Sequence, residues 1–240
     1  MHTRAKDSKR SPAGAQKADA AARLRTILAR LDKKYPGVRC ALTHNNAWEL
    51  LAATILSAQC TDVRVNMVTP ALFARFPTPT AMASAPLPEI EALIRTTGFF
   101  RNKAKHLRGA AERITQEFRG QVPNTMEALL TLPGVARKTA NVVLGSWFGI
   151  AAGVVVDTHV LRIARRLELT KHTAPEKVEQ DLIRILPQER WIDFSHQIIH
   201  LGREICIARK PRCMDCPLEN LCGAKDKTWS SSSSGRLKIH

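Results

Sequence analysis

No apolar run in this sequence approaches the roughly 20 residues that cross a bilayer as a helix. The first 20 residues lack the apolar segment of a secretory signal. Stretches that alternate apolar and polar are few, and only 12 glycines and 13 prolines interrupt 240 residues. Together these absences argue against a membrane span and against a β-rich fold. They predict an all-α protein that stays in the cytoplasm. Acidic residues are also scarce, 21 against 37 lysines and arginines, for a formal net charge of +16 and a pI near 10.2. So basic a balance implies a polyanionic partner, and without membrane signals nucleic acid fits best. An apolar content of 44% over this length suffices for one large or two small domains with proper cores.

What the chain does have is concentrated in Leu132-Pro133-Gly134-Val135-Ala136-Arg137-Lys138-Thr139-Ala140. Leu129, Leu130 and Leu132 end one apolar helical pattern, Pro133-Gly134 breaks it, and Ala140, Val142, Val143 and Leu144 begin another. The pattern predicts a helix, a tight hairpin and a second helix. Gly134 allows a positive φ, so the free amides of the hairpin and of the next helix's first turn point outward together. Outward amides at the positive end of a helix bind phosphate without reading base sequence. Lys138 falls within that first turn, where the helix dipole disfavours a charged amine. Taken alone it reads either as one more phosphate contact or as a nucleophile able to form a Schiff base.

Val154-Val155-Val156 is apolar, and Asp157-Thr158 then reads as the N-cap of a helix through Val160, Leu161, Ile163 and Leu167. Capping accounts for Asp157 by itself; a carboxylate facing Lys138 across a cleft is the alternative that spacing leaves open. Upstream, a strongly apolar helix capped by Asn45 or Asn46 ends abruptly in Ser57-Ala58-Gln59-Cys60-Thr61-Asp62. Gln59 there either bonds a neighbouring backbone group or enters the gap left by an extruded base. Further on, Thr97-Gly98-Phe99-Phe100-Arg101 places two aromatics on a glycine turn beside a basic helix start. One phenylalanine belongs to the core, and an apolar side chain on such a turn can also wedge between bases.

Six cysteines occur, yet four of them, Cys206, Cys213, Cys216 and Cys222, crowd into 17 residues as C-x6-C-x2-C-x5-C. In a chain with no export signal this indicates metal rather than disulfides. Structural zinc sites commonly pair two C-x2-C knuckles, and only one is present. The uneven spacing and Cys216-Pro217 favour a [4Fe–4S] cluster. Arg209, Lys210 and Arg212 lie in the first inter-cysteine interval and form a phosphate patch on the loop. Cys40 and Cys60 read as ordinary core thiols. His196 and His200 share a helix face without a third ligand, and read as packed or surface side chains. Residues 1–19 form a basic tail without hydrophobic period, and residues 227–240, including Ser230–Ser234, a second one; both are expected to be disordered.

The hairpin sequence, Val156-Asp157-Thr158-His159 and the four-cysteine pattern, in that order, closely resemble endonuclease III, a family of bifunctional DNA glycosylase/AP lyases. The resemblance spans roughly residues 22–226. It implies two helical domains with double-stranded DNA, carrying a damaged base or an abasic site, bound between them by a monomer. One domain would be a helical barrel of residues 40–150 carrying the hairpin. The other would join residues 20–39 to 151–226 around the cluster, putting Lys138 and Asp157 on opposite walls. By position, Lys138 matches the family's nucleophile and Asp157 its catalytic carboxylate. Gln59 matches the residue that fills the hole in the duplex, and Phe99 the intercalating loop. Gly134, Ala136, Arg137 and Thr139 would supply the hairpin's DNA contacts.

Three positions depart from the family pattern: Ala136 for a second hairpin glycine, Phe99 for a leucine, and Leu201 for the histidine of His-Gly-Arg. An alanine at 136 is expected to strain the hairpin or to weaken phosphate contact at its amide. The implied reaction removes oxidised pyrimidines and nicks the strand by β-elimination. Mismatch-specific or pyrimidine-dimer glycosylases on the same scaffold, or a DNA-binding module without catalysis, are the alternatives. An adenine-excising relative lacks the lysine that this chain keeps.

Overall fold

A computed structural model of the chain describes residues 12–228. Regular structure among these residues is helical throughout: α1 (Pro12–Lys34), α2 (Ala47–Leu56), α3 (Asp62–Arg75), α4 (Pro79–Ala83), α5 (Leu87–Ile94), α6 (Phe100–Glu117), α7 (Met126–Leu130), α8 (Arg137–Ser146), α9 (Thr158–Arg166), α10 (Pro175–Ile185) and α11 (Trp191–Glu204). Single 3-10 turns occupy Arg95–Thr97, Gln188–Arg190, Cys213–Asp215 and Glu219–Leu221. No helix among the described residues is long and apolar enough to cross a membrane.

The side chains sort into two apolar cores. The first gathers residues of α2 to α8, among them Leu50, Leu51, Leu56, Leu72, Ile90, Leu107, Ile114 and Leu144. Its centre is α2, where every residue from Trp48 to Leu56 is buried; a helix apolar on all sides can be stable only when surrounded. Asn46 starts it, its side chain accepting from the Glu49 amide at 2.9 Å while Glu49 accepts in return from the Asn45 amide at 2.7 Å. This reciprocal cap satisfies donors that the first turn leaves open. The second core combines Ile27 and Leu31 of α1 with Val160 and Ile163 of α9, Val178 and Leu182 of α10, and Phe194 and Ile198 of α11. The chain thus begins in the second core, crosses to build the first, and returns through Gly153–Val156, which is buried throughout.

The two cores meet through polar side chains as well as apolar ones. Arg203 of α11 pairs with Asp62 of α3. Ser146 of α8 lies 3.2 Å from the His196 ring, and Gln188 donates to the Ala151 carbonyl at 3.0 Å. Burial pulls the His196 pKa below its ordinary value. His196 is therefore a packed interface residue, as its spacing suggested.

Three expectations need correction. Residues 12–19 are not an irregular tail, because α1 is already helical from Pro12; an alanine-rich run has the intrinsic propensity to carry a helix outward without an apolar stripe. Residues 1–11 and 229–240 lie outside the described residues. At the other end Lys227 and Thr228 are not free. Lys227 donates to the Glu219 carbonyl at 2.9 Å and to its carboxylate at 2.8 Å, and Thr228 donates to the Pro211 carbonyl. Finally, α4 went unread between two prolines. Thr78 caps it through the Ala81 amide at 3.2 Å and Pro79 occupies its first turn, where a missing N–H costs nothing.

The centrality of α2 has a measurable consequence. Leu51→Ala, fully buried, should lower unfolding stability in urea by about 2–5 kcal/mol. Val63→Ala, on the exposed side of α3, should change it by no more than about 0.5 kcal/mol.

Candidate nucleic-acid site

The hairpin between α7 and α8 is fixed from both sides. The Val135 amide donates to the Leu132 carbonyl at 3.1 Å, closing a turn in which Gly134 has φ +77°. A Cβ at Gly134 would stand 2.8 Å from Cβ of His106 on α6, so both the backbone conformation and the space require glycine. Pro133 rests against α6 as well, 3.2 Å from where a Cβ of Gly109 would be. Ala136 follows as the N-cap of α8 at φ −95°, ψ 171°, an extended conformation any residue adopts. The expected strain at this alanine is therefore absent.

Alanine has no cap acceptor, and none is made. In α2, α3, α4, α7 and α9, a side chain of Asn46, Thr61, Thr78, Thr125 or Asp157 takes up N-terminal amides. At α8 the donors stay open to an external acceptor, which is what an anion site requires. Lys138 stands in this turn, exposed, with no hydrogen bond or ion pair among the described residues. Thr139 is half-buried behind it. Arg137 is exposed and also pairs with the other core: its Nε donates to Oε2 of Glu179 on α10 at 2.8 Å.

Asp157 opens α9 in the second core, whereas α8 contributes Ala140, Val143 and Leu144 to the first. Its Oδ1 accepts from the amides of His159 and Val160, each at 2.8 Å, while Oδ2 has no protein partner among the described residues. Capping and an available carboxylate oxygen coexist in one side chain. Behind it α9 lies tight on α11, since a Cβ at Gly202 would come within 2.6 Å of the His159 ring. This contact explains the glycine of Leu201-Gly202-Arg203. Leu201 is itself 1% exposed, a core residue rather than a site residue.

Gln59 and Phe99 share an unusual feature. Both are exposed, and both have left-handed backbone, at φ 53° and 48°. Such a φ is uncommon outside glycine and swings the side chain off the path of the helix beside it. Phe99 is 65% exposed ahead of α6. The turn that carries it is tied inward by Lys103, only 4% exposed, whose ammonium donates to the Thr97 carbonyl at 2.7 Å. Burial draws the Lys103 pKa down, and the nearby Cys60 thiol opposes that shift. Cys60 adjoins Gln59, so the two turns are neighbours.

Cys206, Cys213, Cys216 and Cys222 line one cavity, together with Ile205, Pro211, Arg166 and Lys227. No three His, Cys, Asp or Glu among the described residues converge closely enough to hold a single ion. Four thiols around one cavity supply the ligand set of a [4Fe–4S] cluster. Burial pushes the Cys216 thiol up to about 11 and the Cys206 thiol upward. Buried thiolates therefore need positive charge, which cluster irons provide and which Arg166 and Lys227 supplement. On the loop outside, Arg209 and Lys210 are exposed. Arg212 is used internally, donating to the Glu204 carbonyl at 2.5 Å.

Sequence reasoning missed Glu179 and the Arg203–Asp62 pair. The one available signal was a glutamate beside Val178 and Leu182 on the apolar face of α10.

Comparison with known proteins bears on this arrangement. Residues 52–188 match the family described as HhH-GPD superfamily base excision DNA repair protein, and residues 206–222 match the iron–sulfur binding domain of endonuclease III. Endonuclease III of Synechocystis sp. is 59% identical over 196 residues, covering 82% of this chain and 90% of that protein. The Escherichia coli K12 enzyme is 40% identical over 201 residues, covering 84% and 95%. Among solved structures, a trapped endonuclease III–DNA covalent intermediate superposes with a TM-score of 0.80 at 41% identity, covering 84% of this chain and 95% of that one.

The hairpin geometry is checked by two substitutions. Gly134→Ala should destabilise the protein by about 1–3 kcal/mol from backbone strain alone, with the His106 contact adding to it. Ala136→Gly should not lower the melting temperature, because glycine is the better N-cap of the two.

Proposed function

This chain belongs to the endonuclease III family, and we propose that its base-excision DNA glycosylase/AP lyase activity is carried by Lys138 and Asp157. It acts on DNA and carries a [4Fe–4S] cluster. The observation that supports the residue assignment is the exposed, unpaired Lys138 at the uncapped start of α8, with a free Asp157 oxygen contributed by the other core.

Binding begins at the open amides of the α8 first turn, which donate to a backbone phosphate, and at Arg209 and Lys210 on the cluster loop. Flipping a nucleotide costs a few kcal/mol and least for a poorly stacked base. Gln59 and Phe99, thrown outward by their left-handed backbone, occupy the space the nucleotide leaves. The lone pair of the Lys138 amine attacks C1′, and the glycosidic C1′–N bond breaks with its electron pair leaving on the base, which takes up a proton. Loss of the amine proton and cleavage of C1′–O4′ give an imine to the opened sugar. Removal of a proton from C2′ then expels the 3′ phosphate oxygen and nicks the strand. The Asp157 carboxylate stabilises positive charge at C1′ and assists the proton transfers. The cysteine loop binds the cluster through Cys206, Cys213, Cys216 and Cys222. The cluster supplies charge and connectivity that shape the basic loop, and the reaction needs no electron from it.

Oxidised or ring-saturated pyrimidines are the proposed substrates, and the bacterial cytoplasm, on nucleoid DNA, the proposed place of action. A monomer covers one lesion.

Borohydride reduction during incubation with an abasic duplex should give a covalent protein–DNA adduct. Lys138→Ala should abolish that adduct while retaining duplex binding in a gel-shift assay; an undiminished adduct would remove Lys138 from the mechanism. A thymine glycol duplex should be nicked, and Asp157→Asn should slow base release on it by about 100-fold or more. Lys210→Ala should weaken binding equally on damaged and undamaged duplexes. It should also reduce the slope of log K against log salt by about 0.9 for one lost phosphate contact.

A further inference from the structure

We propose that Glu179 is a positioning residue for this reaction: its buried carboxylate sets where Lys138 stands relative to Asp157. The inference rests on the assignment of those two residues above, and extends it to a side chain that touches no DNA.

Glu179 lies on α10, between Val178 and the turn that carries Leu182 into the second core, and is 5% exposed. A carboxylate so withdrawn from water is tolerated only when fully partnered. Both partners come from the other core. Oε2 accepts from Nε of Arg137 and Oε1 from Nδ2 of Asn141, each at 2.8 Å. Arg137 and Asn141 are four apart on α8, so they share one face and are gripped together. Lys138 is the residue after Arg137, about 100° further round the helix. Holding Arg137 and Asn141 toward α10 therefore sets the rotation of α8 that leaves Lys138 facing out.

The same carboxylate also meets the segment leading to Asp157. A Cβ on Gly153 would stand 2.2 Å from Glu179 Oε1 and 2.8 Å from Asn141 Nδ2. The backbone of Gly153 is thus laid directly over the ion pair, four residues before Asp157, and Val154 to Val156 run buried from there. One carboxylate consequently contacts α8 just beside the amine and the connection that ends at the acid. Simple stabilisation of the core would need neither partner to come from the first turn of α8. Both Arg137 and the glycine are arranged around a group whose position they share.

The test combines Glu179→Gln, which keeps shape and removes charge, with Arg137→Gln, whose side chain is 45% exposed and leaves the fold undisturbed. Gly153→Ala displaces the carboxylate without altering its charge. Three quantities are read for each: the single-turnover rate of borohydride-trapped adduct on an abasic duplex, the Kd for a duplex holding a reduced, uncleavable abasic analogue, and the melting temperature. Each single variant should slow adduct formation by about 100-fold, the effect of a misplaced reacting group, with Kd close to that of the unmodified protein. The Glu179→Gln/Arg137→Gln double variant should be no slower than the slower single one, because both act through one contact.

An unchanged rate in Glu179→Gln overturns the assignment. So does a loss of rate matched by an equal loss of affinity, or additive effects in the double variant. Should Glu179→Gln fail to fold, Arg137→Gln alone decides, and an unchanged rate in it overturns the assignment equally. Failure of the underlying reading looks different: Lys138→Ala would then trap as well as the unmodified protein, and both assignments fall together.

Discussion

An α-helix leaves its first amides without partners of its own, and the structure turns on where that obligation is met inside the chain and where it is not. Five helices receive an Asn, Thr or Asp side chain at their start. At α8, as at α5, α6, α10 and α11, no side chain caps the first turn; its N-cap is Ala136, and Lys138 stands exposed beside the open donors. The tight turn before it is held by Gly134 against His106, so these donors are presented by a rigid element. Open amide donors and an exposed Lys138 therefore share one cause: a helix that begins without a cap at the surface of a packed core.

A second constraint is that two cores must meet while leaving a working face between them. Their junction uses directional polar contacts, Arg137–Glu179, Arg203–Asp62 and Ser146–His196, in addition to apolar packing. Hydrogen bonds to buried or half-buried groups specify distance and rotation in a way that apolar contact does not, because leaving any of them unmade is costly. Asp157 illustrates the economy of this design: one oxygen caps α9 and the other is free. The basic loop is organised likewise, with Arg212 donating to the Glu204 carbonyl while it, Arg209 and Lys210 all stay exposed.

Much of this was legible in the residues. Apolar spacing located the helices that flank the hairpin and those opened by Asn46 and Asp157, and Pro133-Gly134 marked the hairpin itself. The cysteine spacing pointed to a cluster, and the four thiols do line one cavity. These features are local: a cap, a turn or a ligand loop is encoded within a few consecutive residues, so it survives being read as a string. The misses were of two kinds. The helix α4 hid between prolines that begin a helix as readily as they end one, and α1 extended outward on alanine propensity rather than on an apolar stripe.

The sequence by itself determined the helical class, the open hairpin, the basic character and the metal-binding loop, because each depends on neighbours in the chain. Only the tertiary structure decided that Arg137 pairs with Glu179, that Ala136 is unstrained, and that Leu201 is core. It alone also brought α10 and the Gly153 backbone to the start of α8. Those outcomes rest on contacts between residues 42 positions apart in the case of Arg137 and Glu179. No local pattern carries such information, since which polar groups must pair is settled only when two packed surfaces exclude water between them.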